Sequence, residues 1–298
     1  MRGIDLRSCG GALLLLVTSL FAGAQNASTC AQCEIWNKAQ APFRIFGNSY
    51  YVGTRGLSSV LITSKDGHIL IDGALPQSAQ QIISNIRSLG FRIEDVKIIL
   101  NSHIHFDHAG GIAELQKLSG ARVLASEWSA AVMRKGGVGR DDPQYGEVQP
   151  ISPIANVAEV RDGETIRVGD IAMTAHLTPG HTPGGTSWTW KSCEGTVCHG
   201  IVYADSLTPV SRDGFRFSSN PRTLQGFETS FAFLESTPCD VLITTHPEMS
   251  RLWDRLEART RGVTPDPMID SGACRELAQH GREQLRHRLA EEDKKKLN

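Results

Sequence analysis

The sequence predicts an α+β fold of the αββα sandwich type, in which two β-sheets pack face to face and helices cover their outer surfaces. Two observations predict it: β-type segments bounded by glycine turns precede helical segments, and this order occurs twice along the chain. The two runs cover roughly residues 41–155 and 156–290, so we expect a single domain over residues 25–298 with two related halves. No short sequence repeat accompanies the duplication, which rests on element order alone.

The first half begins with three predicted strands, in "NSYYVG", "SSVLI" and "HILID". The segment "SAQQIISNIRSLG" is predicted to be a helix with Ser78 as its N-cap and one apolar face. That face holds Ile82, Ile83, Ile86 and Leu89. A buried strand, "VKIILNS", then precedes the helix "GIAELQKLSG", the strand "ARVLAS" and the helix "SEWSAAVMRKG". Residues 137–153 are rich in glycine, proline and charge, and their length predicts a functional flap.

The second half repeats this order. Strands are predicted in "AEVRDGETIRVGDIAMTAHLT", "GTSWTW", "GIVYAD" and "CDVLITTH". Pro221 is expected in the first turn of a helix, and "MSRLWDRLEARTRG" and "ACRELAQHGREQLRHRLA" are expected to be helical. The final run of charges, "EEDKKKLN", is predicted to be a frayed and solvated end.

The N-terminus is typical of an export signal. "MRGIDLR" precedes a short apolar run that ends in Ala22-Gly23-Ala24, an A-x-A cleavage pattern, so residues 1–24 are predicted to be a cleavable signal peptide that directs the chain to the periplasm. The run is shorter than the ~20 residues that a membrane-spanning helix needs. The formal net charge of −1 and the 6% aromatic content give no indication of a nucleic-acid or membrane-surface partner.

Cysteine usage agrees with export. Six of the seven cysteines remain after the signal peptide, and an even number in an exported chain indicates disulfides. We expect Cys193 to pair with Cys198 and Cys239 with Cys274, although the count alone does not fix the connectivity. Cys30 and Cys33 have no second C-x-x-C pair to complete a zinc site, and we expect them to pair with each other or with another chain.

The stretch "NSHIHFDHAGG", residues 101–111, contains four potential metal ligands. His103, His105 and Asp107 alternate along the chain and are expected to point to one side, with His108 turning to a neighbouring position. Four such groups from one turn are too crowded for a single tetrahedral ion and suit two adjacent metals. Imidazole together with carboxylate favours zinc over calcium or magnesium. A polar surface turn is the less favoured interpretation.

These ligands need partners from elsewhere in the fold. Among the ten histidines, His181 lies in the turn "TPGHTPGG" and His246 directly follows the strand "VLITT", and both positions are typical of functional sites. The five other histidines are interpreted as surface or hydrogen-bonded core residues. They are His68, His176, His199, His280 and His287.

At these residues the chain resembles the metallo-β-lactamase superfamily. "HIHFDH", "IDG" at residues 71–73, "TPGHTPGG" and "THPE" match its signatures in order, over about residues 42–289. "YADSLTPVS", residues 203–211, is similar to the segment of subclass B3 enzymes that carries serine where subclass B1 enzymes have a cysteine ligand. Two features depart from the pattern: the C-x-x-C at residues 30–33, and Thr208 where some members have serine.

The resemblance implies the metallo-β-lactamase fold and two zinc ions per subunit. The first zinc would be bound by His103, His105 and His181, and the second by Asp107, His108 and His246. A zinc-bound hydroxide oriented by Asp107 would open the β-lactam ring of penicillins, cephalosporins and carbapenems without a covalent intermediate, and so confer antibiotic resistance. Ser206 and Thr208 would bind the substrate carboxylate, and Gln144 is a further candidate for substrate contact. We expect a monomer.

Asp72 has two interpretations. By resemblance it is a carboxylate that steadies the ligand loop without touching metal, and by local sequence it is a turn aspartate before Gly73.

Two other functions compete with the lactamase. Thioesterases of the glyoxalase II type and lactonases share the metal signature, and they usually bridge the metals with an aspartate from the segment that here reads "YADSL". An Asp205 that faced the metals would therefore favour these enzymes. A non-catalytic zinc-binding protein is a third interpretation, and it would be expected to lack at least one of the six ligands, all of which are present.

Overall fold

A computed structural model describes residues 30–295 of the protein, and the predicted signal peptide at residues 1–24 lies outside this range. The described residues form two β-sheets with helices on their outer faces. The predicted αββα sandwich is confirmed.

The first sheet contains seven strands in sequential order. The strands are β1 (Phe43–Phe46), β2 (Ser49–Tyr51), β3 (Val60–Ser64), β4 (Gly67–Ile71), β5 (Val96–Leu100), β6 (Arg122–Ser126) and β7 (Val157–Val160). Strands β1 to β4 pair antiparallel, and β4 to β7 pair parallel. Parallel neighbours need crossover connections, which the helices between these strands supply.

The second sheet contains five strands in the order β12-β11-β10-β9-β8. The strands are β8 (Thr165–Val168), β9 (Ile171–Leu177), β10 (Thr186–Glu194), β11 (Val197–Ala204) and β12 (Val241–Thr244). Only the β11–β12 pair of this sheet is parallel. Because β7 pairs with β6, the change from one sheet to the other falls between Val160 and Thr165, slightly beyond the predicted division near residue 155.

Eight α-helices accompany the sheets in the described part of the chain. They are α1 (Cys33–Trp36), α2 (Ala79–Ser88), α3 (Phe106–Ala109), α4 (Ile112–Ser119), α5 (Glu127–Lys135), α6 (Pro221–Ser236), α7 (Leu252–Thr260) and α8 (Ala273–Lys294). Pro221 occupies the first turn of α6, as predicted. Among residues 30–295, no helix combines the length and the apolar character that a membrane span requires.

The core follows from the alternation of side chains along each strand. In β4, Ile69 and Ile71 face the second sheet while Leu70 faces the helices on the outer side. In β11, Tyr203 faces the first sheet while Val202 packs against the layer that contains α6 and α8. Both faces of these strands are therefore buried, which explains their nearly continuous apolar sequences.

Two local predictions need correction. Ser78 occupies the N-cap position of α2, as predicted, but its side chain makes no cap to the helix; its hydroxyl donates to Asn37 Oδ1 at 2.6 Å, and a 3₁₀ turn at Pro76–Ser78 leads into the helix. The charged C-terminal run is not frayed up to Lys294, because α8 continues through it and Glu292 is only 5% exposed. Among the described residues 291–295 of this run, Glu292 is buried and the other four are exposed.

Disulfides join two pairs of cysteines in the structure. Cys193 pairs with Cys198 across the β10–β11 hairpin, and the bond between Cys239 and Cys274 joins the segment two residues before β12 to the start of α8. The second bond closes a long loop and would stabilise the fold by about 3–4 kcal/mol on the chain-entropy model. Cys30 and Cys33 are also disulfide-bonded.

Candidate metal centre

Four chain segments meet at one edge of the sandwich and bring the predicted ligands together. The loop after β5 leads into α3 and carries the "HIHFDH" residues, and the turn between β9 and β10 carries His181. The segments after β11 and β12 complete the edge with residues 205–208 and with His246. Strand ends can converge in this way because the rigid sheets fix their positions while the loops beyond them supply the side chains.

The six predicted ligands form two groups of three. In the first cluster, one ring nitrogen from each of His103, His105 and His181 lies within 4.8 Å of the others. In the second cluster, donor atoms from Asp107, His108 and His246 meet the same limit. The division into these two triplets is the one that the sequence predicts.

Each imidazole of the first cluster has a hydrogen-bond acceptor next to the ring nitrogen that points away from the other two rings. His103 Nδ1 lies 2.7 Å from Asp205 Oδ1, and His105 Nε2 lies 3.2 Å from Asp142 Oδ2. His181 Nδ1 lies 2.8 Å from the Thr208 carbonyl oxygen. In each ring the opposite nitrogen is therefore the one that faces its neighbours, and the back hydrogen bond fixes both the tautomer and the ring orientation.

Asp205 faces away from the metal-binding atoms. Its Oδ1 contacts the back of His103, and it is not a member of either cluster. Its Oδ2 lies against the backbone at Gly185, where a Cβ atom would come within 2.3 Å of this oxygen. Any side chain at position 185 would therefore displace the carboxylate from His103.

Asp72 accepts hydrogen bonds from residues 101 and 102, at the start of the loop that carries the predicted ligands. Its Oδ1 accepts from the Ser102 backbone N–H at 2.8 Å and from Asn101 Nδ2 at 3.1 Å. Its Oδ2 accepts from Ser102 Oγ at 2.6 Å and from the Tyr203 hydroxyl at 2.8 Å. Asp72 also has a left-handed φ of 58° before Gly73, so it combines the turn position with the loop contacts. Both interpretations of this residue describe part of what the structure shows.

Burial disfavours the charged form of two histidines in the first cluster. Burial, together with the neighbouring histidines, holds the pKa of His103 well below its usual value and lowers the pKa of His181 to about 3. Burial also raises the pKa of Asp205 well above its usual range. The two shifts favour the uncharged form of each partner in the 2.7 Å contact between Asp205 Oδ1 and His103 Nδ1.

The second cluster is built on opposite charges. Burial opposes ionisation of Asp107, but His108 and His246 outweigh it and hold the pKa of this carboxyl well below its usual value. Burial likewise opposes protonation of His246, and its hydrogen bond to Asp107 outweighs burial and raises the pKa of the imidazole. Asp107 Oδ2 lies 3.3 Å from His108 Nε2 and 3.4 Å from His246 Nε2.

The donor set fits a pair of zinc ions. Imidazole nitrogens and one carboxylate are ligands that zinc prefers, and three protein ligands per ion leave a position open, as in catalytic sites. The buried Nε2 of His103 has no hydrogen-bond partner among the described residues, although it lies amid the other donors of its cluster. A buried polar atom without a partner is costly, and a bound cation would satisfy it.

The predicted substrate residues lie around this centre. Ser206 and Thr208 line a cavity of about 110 Å³ beside His181 and His246, and Leu277 and His280 of α8 form part of its opposite wall. Ser206 Oγ lies 2.8 Å from Thr245 Oγ1. The Thr208 hydroxyl lies 3.1 Å from His181 Nδ1, so this residue supports a cluster ligand as well as lining the cavity.

Gln144 extends from the flap over the first cluster. Its Nε2 lies 3.5 Å from His105 Nδ1 and 3.4 Å from His181 Nε2, which are the two cluster-facing nitrogens. The predicted flap residue therefore reaches the metal-binding atoms themselves.

Sequence reasoning missed three residues of the site. Asp142 supports His105 from the flap, and its signal was only a second acidic residue in "RDDP". Trp36 packs its ring 5.3 Å from the ring of His246, from a short helix that precedes the recognised region. Tyr203, near the C-terminal end of β11, donates its hydroxyl to Asp72.

Comparison with known proteins agrees with this geometry. The model of the metallo-β-lactamase superfamily matches residues 52–196. The solved structure of Rm3 metallo-β-lactamase shares 54% identity over 89% of this chain and 99% of its own, with a TM-score of 0.86. MEM-A1, a subclass B3 metallo-β-lactamase isolated from a soil metagenome library, shares 49% identity over 87% of this chain and 99% of its own, with a TM-score of 0.85.

More distant similarity extends to another hydrolase. The hydroxyacylglutathione hydrolase of Maricaulis maris is 37% identical over 87 residues, which are 29% of this chain and 26% of that protein. The chain thus spans about a quarter of the length of this curated relative.

Proposed function

The chain belongs to the metallo-β-lactamase superfamily, and on this premise we propose that it is a zinc-dependent hydrolase that opens the β-lactam ring of antibiotics. The solved structures named above, both metallo-β-lactamases, match it at about half identity over nearly their whole length. The activity rests on the site, because this superfamily fold hosts several hydrolytic reactions.

The position of Asp205 supports a β-lactam substrate over a thioester or a lactone. In the competing thioesterases and lactonases, the aspartate of this segment is expected to bridge the metals. Here Asp205 Oδ1 binds the back of His103 at 2.7 Å, and the carboxylate belongs to neither donor cluster. The centre therefore has the three-plus-three ligand set expected of a subclass B3 lactamase.

We assign one zinc ion to each cluster. When bound, zinc supplies Lewis acidity for a carbonyl oxygen and lowers the pKa of a water molecule to about 7. His103, His105 and His181 hold the first ion through the nitrogens opposite their back hydrogen bonds. Asp107, His108 and His246 hold the second.

Asp107 is the catalytic residue that handles the proton. In the metal-free protein, His108 and His246 hold its pKa well below the usual value, and both contact its Oδ2. Its Oδ1 is then the atom that orients the attacking water and takes up its proton. Ring opening adds this water across the amide: oxygen bonds to the carbonyl carbon, the carbon–nitrogen bond breaks, and the nitrogen gains a proton. No covalent intermediate is required.

Three side chains are proposed to bind the substrate. Ser206 and Thr208 present hydroxyl groups to the cavity beside His181 and His246, and they are proposed to bind the substrate carboxylate. Gln144 is positioned to contact the substrate from the flap side, over the first cluster.

The biological setting follows from the sequence. Residues 1–24 are proposed to export the protein to the periplasm, where β-lactams act and where disulfides persist. The enzyme is proposed to act as a monomer on penicillins, cephalosporins and carbapenems and to confer resistance to them.

Carbapenem hydrolysis by the purified mature protein tests the proposal. Turnover is followed at the ultraviolet band of the antibiotic, after chelation and again after zinc is restored. We expect activity to disappear with the chelator and to return with zinc. A zinc-loaded protein that hydrolyses no penicillin, cephalosporin or carbapenem would contradict the lactamase assignment.

The second candidate is a glyoxalase II-like thioesterase or a lactonase. The similarity to the Maricaulis maris hydrolase favours it, although that match covers only 87 residues. The same zinc-loaded preparation should be assayed against a thioester and a lactone. Turnover of either substrate in the absence of β-lactam turnover would establish this alternative.

A further inference from the structure

The last turn of α8 is fastened to the loop that lines the candidate substrate cavity. Glu292 is 5% exposed, and its Oε1 and Oε2 accept from the backbone N–H groups of Phe217 at 2.9 Å and Ser218 at 3.0 Å. Arg216 donates to the carbonyl oxygen of Glu292. A carboxylate that accepts two backbone N–H groups holds both residues in one place.

Arg288, one turn earlier, fastens the same loop at other points. Its Nε donates to Glu292 Oε1 at 3.0 Å, so the carboxylate orients the guanidinium. One Nη atom then donates to Ser211 Oγ at 2.7 Å and to the Phe215 carbonyl oxygen at 3.1 Å. The planar guanidinium can make these contacts together because its donors have a fixed geometry.

The fastened loop, residues 205–218, carries groups that touch the first cluster. Asp205 contacts His103, and the carbonyl oxygen of Thr208 accepts from His181 Nδ1 at 2.8 Å. Ser206 lines the cavity between them. A shift in this loop would therefore alter two of the three ligands and the cavity wall together.

The loop also anchors the flap. Arg212 donates through its backbone N–H to the Pro143 carbonyl oxygen at 2.9 Å, and through its guanidinium to the Asp142 carbonyl oxygen at 2.9 Å. Asp142 is the acceptor behind His105, and Gln144 lies two residues further on. The third ligand of the first cluster thus depends on the same loop.

We propose that Glu292 and Arg288 are positioning residues for the first metal-binding cluster and for substrate binding, acting through the 205–218 loop. All three acceptors behind the cluster histidines lie on this loop or on the flap that it anchors. The second cluster is touched by this loop at one recorded point, where Ser206 Oγ lies 2.8 Å from Thr245 Oγ1, next to His246. The assignment rests on the proposed zinc-dependent hydrolase.

Glu292→Gln tests the proposal, with Glu291→Gln as the matched control. Both variants lose one charge in the same turn, but Glu291 is exposed, and its carboxylate lies 3.3 Å from exposed His287. Residues that directly orient a metal ligand change affinity about 10–100-fold. Glu292 lies one contact further from the ligands, so we expect Glu292→Gln to weaken zinc binding at the first cluster about 3–10-fold, measured by chelator competition. We also expect it to raise KM more than it lowers kcat.

Hydrogen exchange provides a readout that does not depend on activity. In Glu292→Gln, the amides of residues 205–218 and 142–144 should exchange faster, while those of α3 should match the wild type. Glu291→Gln should match the wild type throughout. Arg288→Lys, with exposed Arg286→Lys as its control, should reproduce the effect more weakly and provides the test if Glu292→Gln does not fold.

A purely structural role would give a different result. A lower melting temperature with unchanged zinc affinity, KM and loop exchange would overturn the proposal. If the wild-type protein hydrolyses no β-lactam, the proposed function fails, but zinc affinity and hydrogen exchange still decide whether these residues position the first cluster.

Discussion

The two metal-binding clusters use the same number of ligands but are organised differently. In the first cluster, each histidine has an acceptor behind it, and the acceptors come from three separate positions: Asp205, Asp142 and Thr208. In the second cluster, the ligands mainly contact one another, through Asp107 Oδ2. The buried His108 Nδ1 has no hydrogen-bond partner in the described part of the chain.

The two clusters also differ in the exposure of their side chains and in the pKa values of their histidines. The side chains of the first cluster are nearly inaccessible, whereas that of His246 in the second is 21% exposed and lies against Trp36. Burial lowers the pKa values of His103 and His181, while Asp107 raises that of His246. The first cluster is therefore preorganised by its surroundings, and the second by the attraction among its own ligands.

Removing one ligand from each cluster should produce the largest effects. His181→Ala and His246→Ala should each lower kcat/KM by about 100-fold or more, because even residues behind a ligand cost about 10–100-fold. Metal analysis should find one zinc per chain in each variant. Loss of both metals from His246→Ala would contradict this difference between the clusters, since the first cluster is expected to keep its geometry without the second.

Removing an acceptor should have an intermediate effect confined to the first cluster. Asp205→Ala frees the His103 ring, and we expect zinc affinity to fall about 10–100-fold. Asp205→Asn keeps an acceptor at the same place and should recover most of the loss. Chelator competition measures both variants. Equal losses in the two would show that the charge of Asp205, rather than its hydrogen bond, matters.

The regular elements of this protein could be predicted because their signals are local. Ile69, Leu70 and Ile71 of β4 are apolar because the strand is buried on both faces, and the sequence records that directly. Four of the six clustered donors, His103, His105, Asp107 and His108, could be singled out for a related reason. Imidazoles and a carboxylate crowded into residues 103–108 have few functions other than binding metal.

What sequence reasoning missed depends on contacts between distant segments. Asp142 reaches His105 across 37 positions of the chain, and only the path of the flap brings them together. The orientation of Asp205 is a side-chain rotamer and has no sequence signature. Glu292 looked solvated because it lies in a run of charges, but the helical period turns this one carboxylate inward onto Phe217 and Ser218.

Trp36 gives a smaller test of the second cluster. Its ring covers His246, and loss of such an aromatic contact costs about 0.5–1.5 kcal/mol, or about 2- to 12-fold. We expect Trp36→Ala to weaken the second zinc by that factor, measured by chelator competition, and Trp36→Phe to restore much of it. A loss from the first cluster instead would contradict the division between the two.

The contribution of Glu292 to stability should depend on pH. Burial opposes ionisation of Glu292, but hydrogen bonds from Ser218, Phe217 and Arg288 outweigh it and hold its pKa below the usual value. Its contribution to stability is therefore present above the unfolded pKa of about 4.3 and lost as pH falls through the lower folded value.

Urea unfolding of the metal-free protein measures this contribution. At pH 7, Glu292→Gln should lower the free energy of unfolding by about 1–3 kcal/mol relative to Glu291→Gln. The difference should shrink as pH falls below about 4. A difference that stayed constant with pH would mean that packing, rather than the charge, makes Glu292 stabilising.

The space beside Gly185 has a consequence for variants of this protein. Asp205 can support His103 only because no Cβ occupies that space, where an added atom would lie 2.3 Å from Oδ2. In a deep mutational scan, position 185 should therefore tolerate replacement as poorly as a histidine ligand. Replacements in the cavity wall and the flap can change the shape of the site, whereas this glycine restricts change at its position without contributing a side chain.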